Sequence, residues 1–189
     1  MKKFKILIPV YNDWQSLSKL LNNIDNEIKY ITHEISVIIV DDASTFDRQL
    51  DIENLSNIIS IKILSMKENR GHARCIATGL KYIFEKEEFD YVIPMDGDGE
   101  DRPEEIIEFI KSSENAPEQT IVGERVKRSE AFIFKFCYFF HKIITLVFTG
   151  HSIKFGNFTC LKKSTVEKMI NEKATWNSFS GALTKVEKN

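Results

Sequence analysis

The sequence predicts an α/β fold, a mostly parallel sheet flanked by helices, from three observations. Short apolar runs alternate with stretches of helical period through the first two-thirds of the 189 residues, which is the pattern of repeated strand and helix units. The run 35–40 is apolar apart from Ser36, as a central strand covered on both faces is. The polar residues and glycines that interrupt the pattern gather just after the apolar runs.

Taken in order, the first strand is expected over 5–10. A helix follows Trp14, because Leu17, Leu20, Leu21, Ile24 and Ile28 recur at helical spacing. Strands are expected over 35–40 and 61–65, then a helix carrying Ile76, Leu80, Ile83 and Phe84. The run 91–95 reads as a buried strand. A helix starts near Pro103, with proline at its first turn, Glu104 and Glu105 close behind, and Ile106, Ile107 and Ile110 on one side. A strand over 120–123 and a helix over 164–170 complete the regular pattern. No repeat, low-complexity tract or proline-rich linker interrupts it, so one domain is expected.

The segment 131–149 stands apart, with Phe132, Phe134, Phe136, Phe139, Phe140 and Phe148. It approaches the length of a bilayer span, but Lys135, His141 and Lys142 would be costly at a membrane centre. On a helical wheel these three fall with Thr145 and Thr149 inside an arc of about 120°. An aromatic amphipathic helix lying at a membrane surface is expected, with Arg125, Lys127 and Arg128 beside it favouring anionic lipid. A buried helix or a homodimer contact is the alternative.

Composition narrows the partners. With 42% hydrophobic residues, 29% charged and a net charge of -2, the chain has no bulk attraction for nucleic acid. Cys75, Cys137 and Cys160 are widely spaced with no CxxC pair, which suggests reduced thiols in the cytoplasm. The first apolar run is too short, and too interrupted by Lys5 and Pro9, for a secretory signal.

The stretch Met95-Asp96-Gly97-Asp98-Gly99-Glu100 ends a strand in a cluster of carboxylates. Two aspartates one residue apart can offer oxygens to one hard divalent ion, Mg2+ or Mn2+, which keeps waters and shares its remaining positions with substrate phosphates. A calcium loop is excluded, since the sixth and twelfth positions from Asp96 are Asp101 and Ile107 rather than glycine and glutamate. A solvated acidic turn before a helix is the alternative. Four further clusters also follow strands: Pro9-Val10-Tyr11-Asn12-Asp13, Asp41-Asp42-Ala43-Ser44, Glu68-Asn69-Arg70-Gly71 and Glu124-Arg125. Ligands of open α/β sheets bind outside the carboxyl ends of the strands, so all five should meet in one crevice. Taken singly, Asp41 to Ser44 also reads as a turn with a helix cap, and Gly71 as a tight helix start.

In this order and spacing, Pro9-Val10-Tyr11-Asn12, Val40 to Ser44, Asn69-Arg70-Gly71-His72-Ala73, Asp96-Gly97-Asp98 and Gly123-Glu124-Arg125 closely resemble the family 2 glycosyltransferases of the GT-A fold. The branch with dolichyl-phosphate mannose synthases and polyprenyl-phosphate sugar transferases is the most similar. The resemblance covers about residues 4–128, and more loosely onward to about 165. It implies that Pro9, Tyr11, Asn12 and Asp13 line a nucleotide pocket, and that Asp41 and Asp42 hold base and ribose. Asn69, Arg70 and Gly71 would close the floor near the diphosphate. Asp96 and Asp98 become the metal-binding D-x-D motif, with Glu100 where glutamine is frequent.

The implied reaction is an inverting transfer of a sugar from a nucleotide-diphosphate donor, with Asp98, Arg125 and Arg128 as catalytic residues. The acceptor is a polyprenyl phosphate or a glycan in cell-envelope glycan synthesis, at the cytoplasmic face of the membrane. A sugar hydroxyl acceptor needs a general base, yet after Glu130 the carboxylates are Glu167, Glu172 and Glu187, all in helical or terminal settings. An ionised lipid phosphate needs none. Residues 1–128 are expected to form the nucleotide-sugar core and 129–189 an acceptor-side, membrane-interface helical extension of the same domain. The competing readings are a non-catalytic or truncated nucleotide-sugar-binding module and a nucleotidyltransferase of similar fold. A dinucleotide-dependent dehydrogenase is disfavoured because GxGxxG is absent after the first strand.

Overall fold

The computed structural model describes residues 1–117, 119–123 and 156–187. In chain order the elements are β1 (Lys3–Val10), α1 (Trp14–Glu27), β2 (Glu34–Asp41), β3 (Ser60–Ser65), α2 (His72–Lys86), β4 (Tyr91–Pro94), α3 (Glu104–Asn115), β5 (Ile121–Val122), β6 (Thr159–Lys162), α4 (Lys163–Asn171) and α5 (Phe179–Glu187). The five expected strands form, each within one or two residues of its expected bounds at either end. β6 and α5 were not among the expected elements, and the helix expected over 164–170 is α4.

The strands form one six-stranded sheet in the order β3-β2-β1-β4-β6-β5. β3, β2, β1 and β4 run parallel, while β6 is antiparallel to both β4 and β5. Two reversals restore the original direction, so β5 points the same way as β4. The carboxyl ends of all five expected strands therefore lie along one edge.

Strand alternation explains how the central strands are buried on both faces. Ile6, Ile8, Val37, Ile39 and Ile93 pack with Leu17, Leu21 and Ile24 of α1 and Ile106 and Ile110 of α3. Leu7, Ile38, Val40 and Val92 take the other face, with Ile76, Leu80 and Ile83 of α2, Val166 and Met169 of α4, and Leu183 of α5. A nearly continuous apolar sequence is what a strand between two helical layers requires.

Residues 42–59 join β2 to β3 without helix or strand. Polar groups of α1 and its approach hold this strap in place. Asn12 Oδ1 accepts from the backbone N–H groups of Thr45 (2.8 Å) and Phe46 (3.0 Å). Ser18 Oγ accepts from Asp51 N at 3.2 Å. Buried Asp25 accepts from the N–H groups of Ser56, Asn57 and Ile58 and from the Asn57 amide. A loop of this length inside a compact domain is commonly a functional one. No helix among the described residues is long and apolar enough to cross a membrane.

Candidate active site at the strand carboxyl ends

At the end of β1, Pro9 is buried in register with Val40, and Tyr11 is 48% exposed beside it. Asn12 takes a left-handed conformation (φ 58°), a region that asparagine tolerates better than most residues. Its N–H donates to Ser44 Oγ at 2.9 Å. Asp13 is the N-cap of α1, accepting from Ser16 N at 3.2 Å. The described hydrogen bonds of Asn12 and Asp13 thus fix the turn from β1 into α1 and tie it to the strap.

Asp41 and Asp42 end β2 and both are buried. Asp41 Oδ1 accepts from Ser44 N at 2.9 Å, and its Oδ2 from Arg48 Nη2 at 3.3 Å. Asp42 turns to the loop before α2, where Oδ1 accepts from Arg70 N at 2.7 Å and Oδ2 from Gly71 N at 2.8 Å. Gly71 has φ +87°, which L side chains rarely adopt, and it is the N-cap of α2. Asn69 is exposed on the same turn, and the Arg70 guanidinium pairs with Glu68. Cys75 lies one turn into α2. Burial, with help from the charges of Asp42 and Asp41, pushes its thiol up to about 12, and burial does the same to Cys160. Both are free and buried, as expected of structural thiols.

The acidic stretch follows β4. Asp96 N donates to Asp101 Oδ2 (2.8 Å) and Glu100 N to Asp98 Oδ1 (2.8 Å), which folds the stretch into a turn with Asp98 exposed. Gly97 lets the turn pass close to β1, since a Cβ there would lie 3.1 Å from the Pro9 carbonyl oxygen. His72, the first residue of α2, brings Nε2 to 2.8 Å from Asp96 Oδ1. That hydrogen bond, with the charges of Asp96, Asp98 and Asp101, holds the imidazole above its ordinary pKa although burial pulls it down. Asn157 Nδ2 approaches the same oxygen at 3.5 Å, the outer limit of a hydrogen bond.

One chain of contacts therefore runs along the edge, from Asp42 through Arg70 and Gly71 to His72 and Asp96. Sequence reasoning gave His72 no role, because nothing local marks a histidine that meets a carboxylate 24 residues away. Arg48 and Ser65 were also missed. Arg125, Arg128 and the aromatic segment 131–149 lie outside the described residues. Of the late carboxylates, Glu172 caps Ala174 N and pairs with Lys185, and Glu187 accepts from Thr120 and Thr165. Both are engaged in holding the fold together.

Among the described residues no group of three His, Cys, Asp or Glu side chains is arranged to hold a metal ion alone. Asp96 and Asp98 are two hard oxygen donors just past the carboxyl end of β4. That donor set suits an ion that takes one or two carboxylates from the protein and completes its shell with water and phosphate.

Comparison with known proteins agrees with this architecture. The chain is 28% identical over 207 residues to an undecaprenyl-phosphate 4-deoxy-4-formamido-L-arabinose transferase of Serratia proteamaculans, covering 99% of this chain and 59% of that protein. It is 27% identical over 125 residues to a dolichol-phosphate mannosyltransferase of Pyrococcus furiosus, covering 66% of this chain and 34% of that protein. The chain thus spans only part of the length of either relative. Among solved structures, the mannosyltransferase PcManGT from Pyrobaculum calidifontis, in complex with GDP-Man and Mn2+, superposes with a TM-score of 0.55 at 17% identity, over 88% of this chain and 46% of that one. At that identity the likeness establishes the fold, the expected GT-A arrangement. The family model for glycosyl transferase family 2 matches residues 5–169, most of the chain, and this protein belongs to that family.

Proposed function

We propose that this chain transfers a sugar from a nucleoside-diphosphate donor to a lipid-phosphate acceptor, in an inverting reaction assisted by Mg2+ or Mn2+. The observation that carries the reading is the run of contacts from Asp42 through Gly71 and His72 to Asp96, which ties together strand ends far apart in sequence. The names of the Serratia and Pyrococcus relatives support a lipid-phosphate acceptor. The ligands of the Pyrobaculum enzyme support a nucleotide sugar and a divalent ion.

Asp96 and Asp98 would hold the ion, which when bound supplies a Lewis acid to the departing diphosphate. Pro9, Tyr11, Asn12, Asp13, Asp41, Asp42, Asn69, Arg70 and Gly71 form or frame the donor pocket. Asp42 fixes the Arg70–Gly71 backbone beneath the diphosphate, and His72 restrains the Asp96 carboxylate by its hydrogen bond. Arg125 and Arg128 are the groups to position the acceptor through charge-assisted hydrogen bonds. An acceptor phosphate is already ionised at neutral pH, so the absence of a recognisable general base among the late carboxylates fits it better than a sugar hydroxyl. Residues 1–128 are assigned to the donor and 129–189 to the acceptor and the membrane surface, at the cytoplasmic face.

A thermal-shift panel of UDP, GDP, CDP and dTDP sugars with and without Mn2+ tests this reading. Donor at one hundred times its Kd stabilises the folded state by about 2.7 kcal/mol, so a clear rise in Tm is expected for one nucleotide class, larger with Mn2+. Asp98→Ala should remove the metal-dependent part and lower the unliganded Tm only slightly, because Asp98 is exposed and accepts one exposed hydrogen bond, from Glu100 N. No shift with any donor would overturn the reading. Sedimentation with vesicles, with and without polyprenyl phosphate, separates an acceptor requirement from membrane binding alone.

A further inference from the structure

The strap between β2 and β3 delivers a cation to the carboxyl ends of those two strands. Arg48 Nη2 donates to Asp41 Oδ2 at 3.3 Å and to Ser65 Oγ at 2.9 Å, linking the ends of β2 and β3. The guanidinium also lies over Trp14, its central carbon 5.1 Å from the ring centroid, so the strap, both strand ends and the start of α1 fix its position. These contacts leave the Arg48 side chain 42% exposed, whereas that of Asp41 is 8% exposed. Among the described residues both side-chain hydrogen bonds leave from Nη2. A guanidinium has five N–H donors in a planar fork, so donors on Nε and Nη1 remain for a ligand.

We propose that Arg48 is a specificity-determining residue that reads the donor's nucleobase together with Asp41. This rests on the nucleotide-sugar reading of the crevice and deepens it. Each Asp41 oxygen accepts one hydrogen bond from the protein, and a carboxylate offers about four lone-pair sites, so acceptor capacity remains beside the Arg48 donors. Sheet order fixes the sequence in which a nucleotide meets them. With the diphosphate at Asp96 after β4, the base extends across β1 toward β2 and β3. It reaches Asp41 on β2 first, then Arg48, which leans on Ser65 of β3.

An acceptor followed outward by a donor matches a ring N–H followed by an exocyclic carbonyl. Uracil, thymine and guanine present that pair. Cytosine and adenine present a bare ring nitrogen and then an amino group, which sets lone pair against carboxylate and N–H against guanidinium. The crevice should therefore take keto bases and reject amino bases. A mismatched base forfeits both hydrogen bonds and takes on both of those repulsive contacts.

The test is calorimetric titration of UDP, GDP, CDP and ADP, with Mg2+, into wild-type protein, Arg48→Ala and Arg48→Lys. Wild type is expected to bind UDP or GDP at least about tenfold more tightly than CDP and ADP, which one charge-assisted hydrogen bond suffices to produce. Arg48→Ala should weaken the preferred diphosphate about tenfold and bring the four within about threefold of one another. Arg48→Lys keeps a cation near Asp41 and so keeps the strap closed, but it lacks the fork. It should match wild type in unliganded Tm and still lose most of the discrimination, which separates reading from folding. Equal weakening of all four nucleotides in both variants, or a wild-type preference for CDP or ADP, overturns the proposal while the donor reading stands. Failure of wild type to bind any of the four overturns the donor reading and this inference with it.

Discussion

Asp42 is a small residue-scale device that does more than a nucleotide contact would need. Both of its oxygens are bonded to backbone N–H groups at the start of α2, at 2.7 and 2.8 Å, and it is 4% exposed. Those N–H groups belong to Arg70 and Gly71, the residues proposed to lie beneath the diphosphate, and Gly71 has a left-handed φ. Asp42→Asn keeps one acceptor oxygen and turns an NH2 against an N–H. Hydrogen bonds to a charged group contribute about 1.5–3 kcal/mol, so a loss of about 2–3 kcal/mol of stability is expected, read from urea denaturation. Nucleotide affinity should fall as well, since the Arg70–Gly71 turn loosens. A variant as stable as wild type would show that the two bonds do not hold the turn.

At the scale of elements, the strap 42–59 replaces the helix that usually separates two parallel strands, and Asp25 is its principal anchor. Asp25 Oδ1 accepts from Asn57 N and Ile58 N, both at 2.8 Å, and Oδ2 from Ser56 N at 3.2 Å and the Asn57 amide at 2.9 Å. Burial alone would raise its pKa, but these bonds outweigh it and hold the carboxyl below its ordinary value. A depressed folded pKa gives stability that is complete above the ordinary carboxylate value of about 4 and is lost as pH falls through the folded value. Asp25→Asn should therefore cost about 2–4 kcal/mol at pH 7, with the gap from wild type narrowing below about pH 4. A gap that stays constant from pH 7 to 3 would rule out the carboxylate as anchor. Asp25 also shows where the sequence was silent. It sits on α1 amid Ile24, Asn26 and Glu27 like any helix-surface acid, and its partners lie more than thirty residues away. The parallel strands were legible because β1 and β2 are apolar on both faces, and the strand ends that share one edge were legible because glycines and carboxylates mark them. β6 was not, since Thr159-Cys160-Leu161-Lys162 is four residues long and carries one strongly apolar side chain.

Over the whole molecule, β6 decides how the chain divides. The proposed donor half over 1–128 and acceptor half over 129–189 would divide labour and not the fold, because β6 lies between β4 and β5 in the same sheet. Removing everything after residue 128 strips β4 of its antiparallel partner, which pairs Tyr91 with Lys162 and Val92 with Leu161. It also takes Leu161, Val166, Met169, Phe179 and Leu183 out of the core, each no more than 3% exposed. Burying a side chain of this size contributes about 1.5–3 kcal/mol, so these five represent roughly 7–15 kcal/mol. That rivals the whole stability of an ordinary domain, about 5–15 kcal/mol. The fragment 1–128 should therefore show no cooperative thermal or urea transition, and it should bind dyes that recognise exposed apolar surface, whereas the full chain unfolds in one step. A sharp transition in the fragment, with nucleotide binding retained, would mean that the parallel half folds without β6 and that the sheet's antiparallel edge is an addition to a finished core.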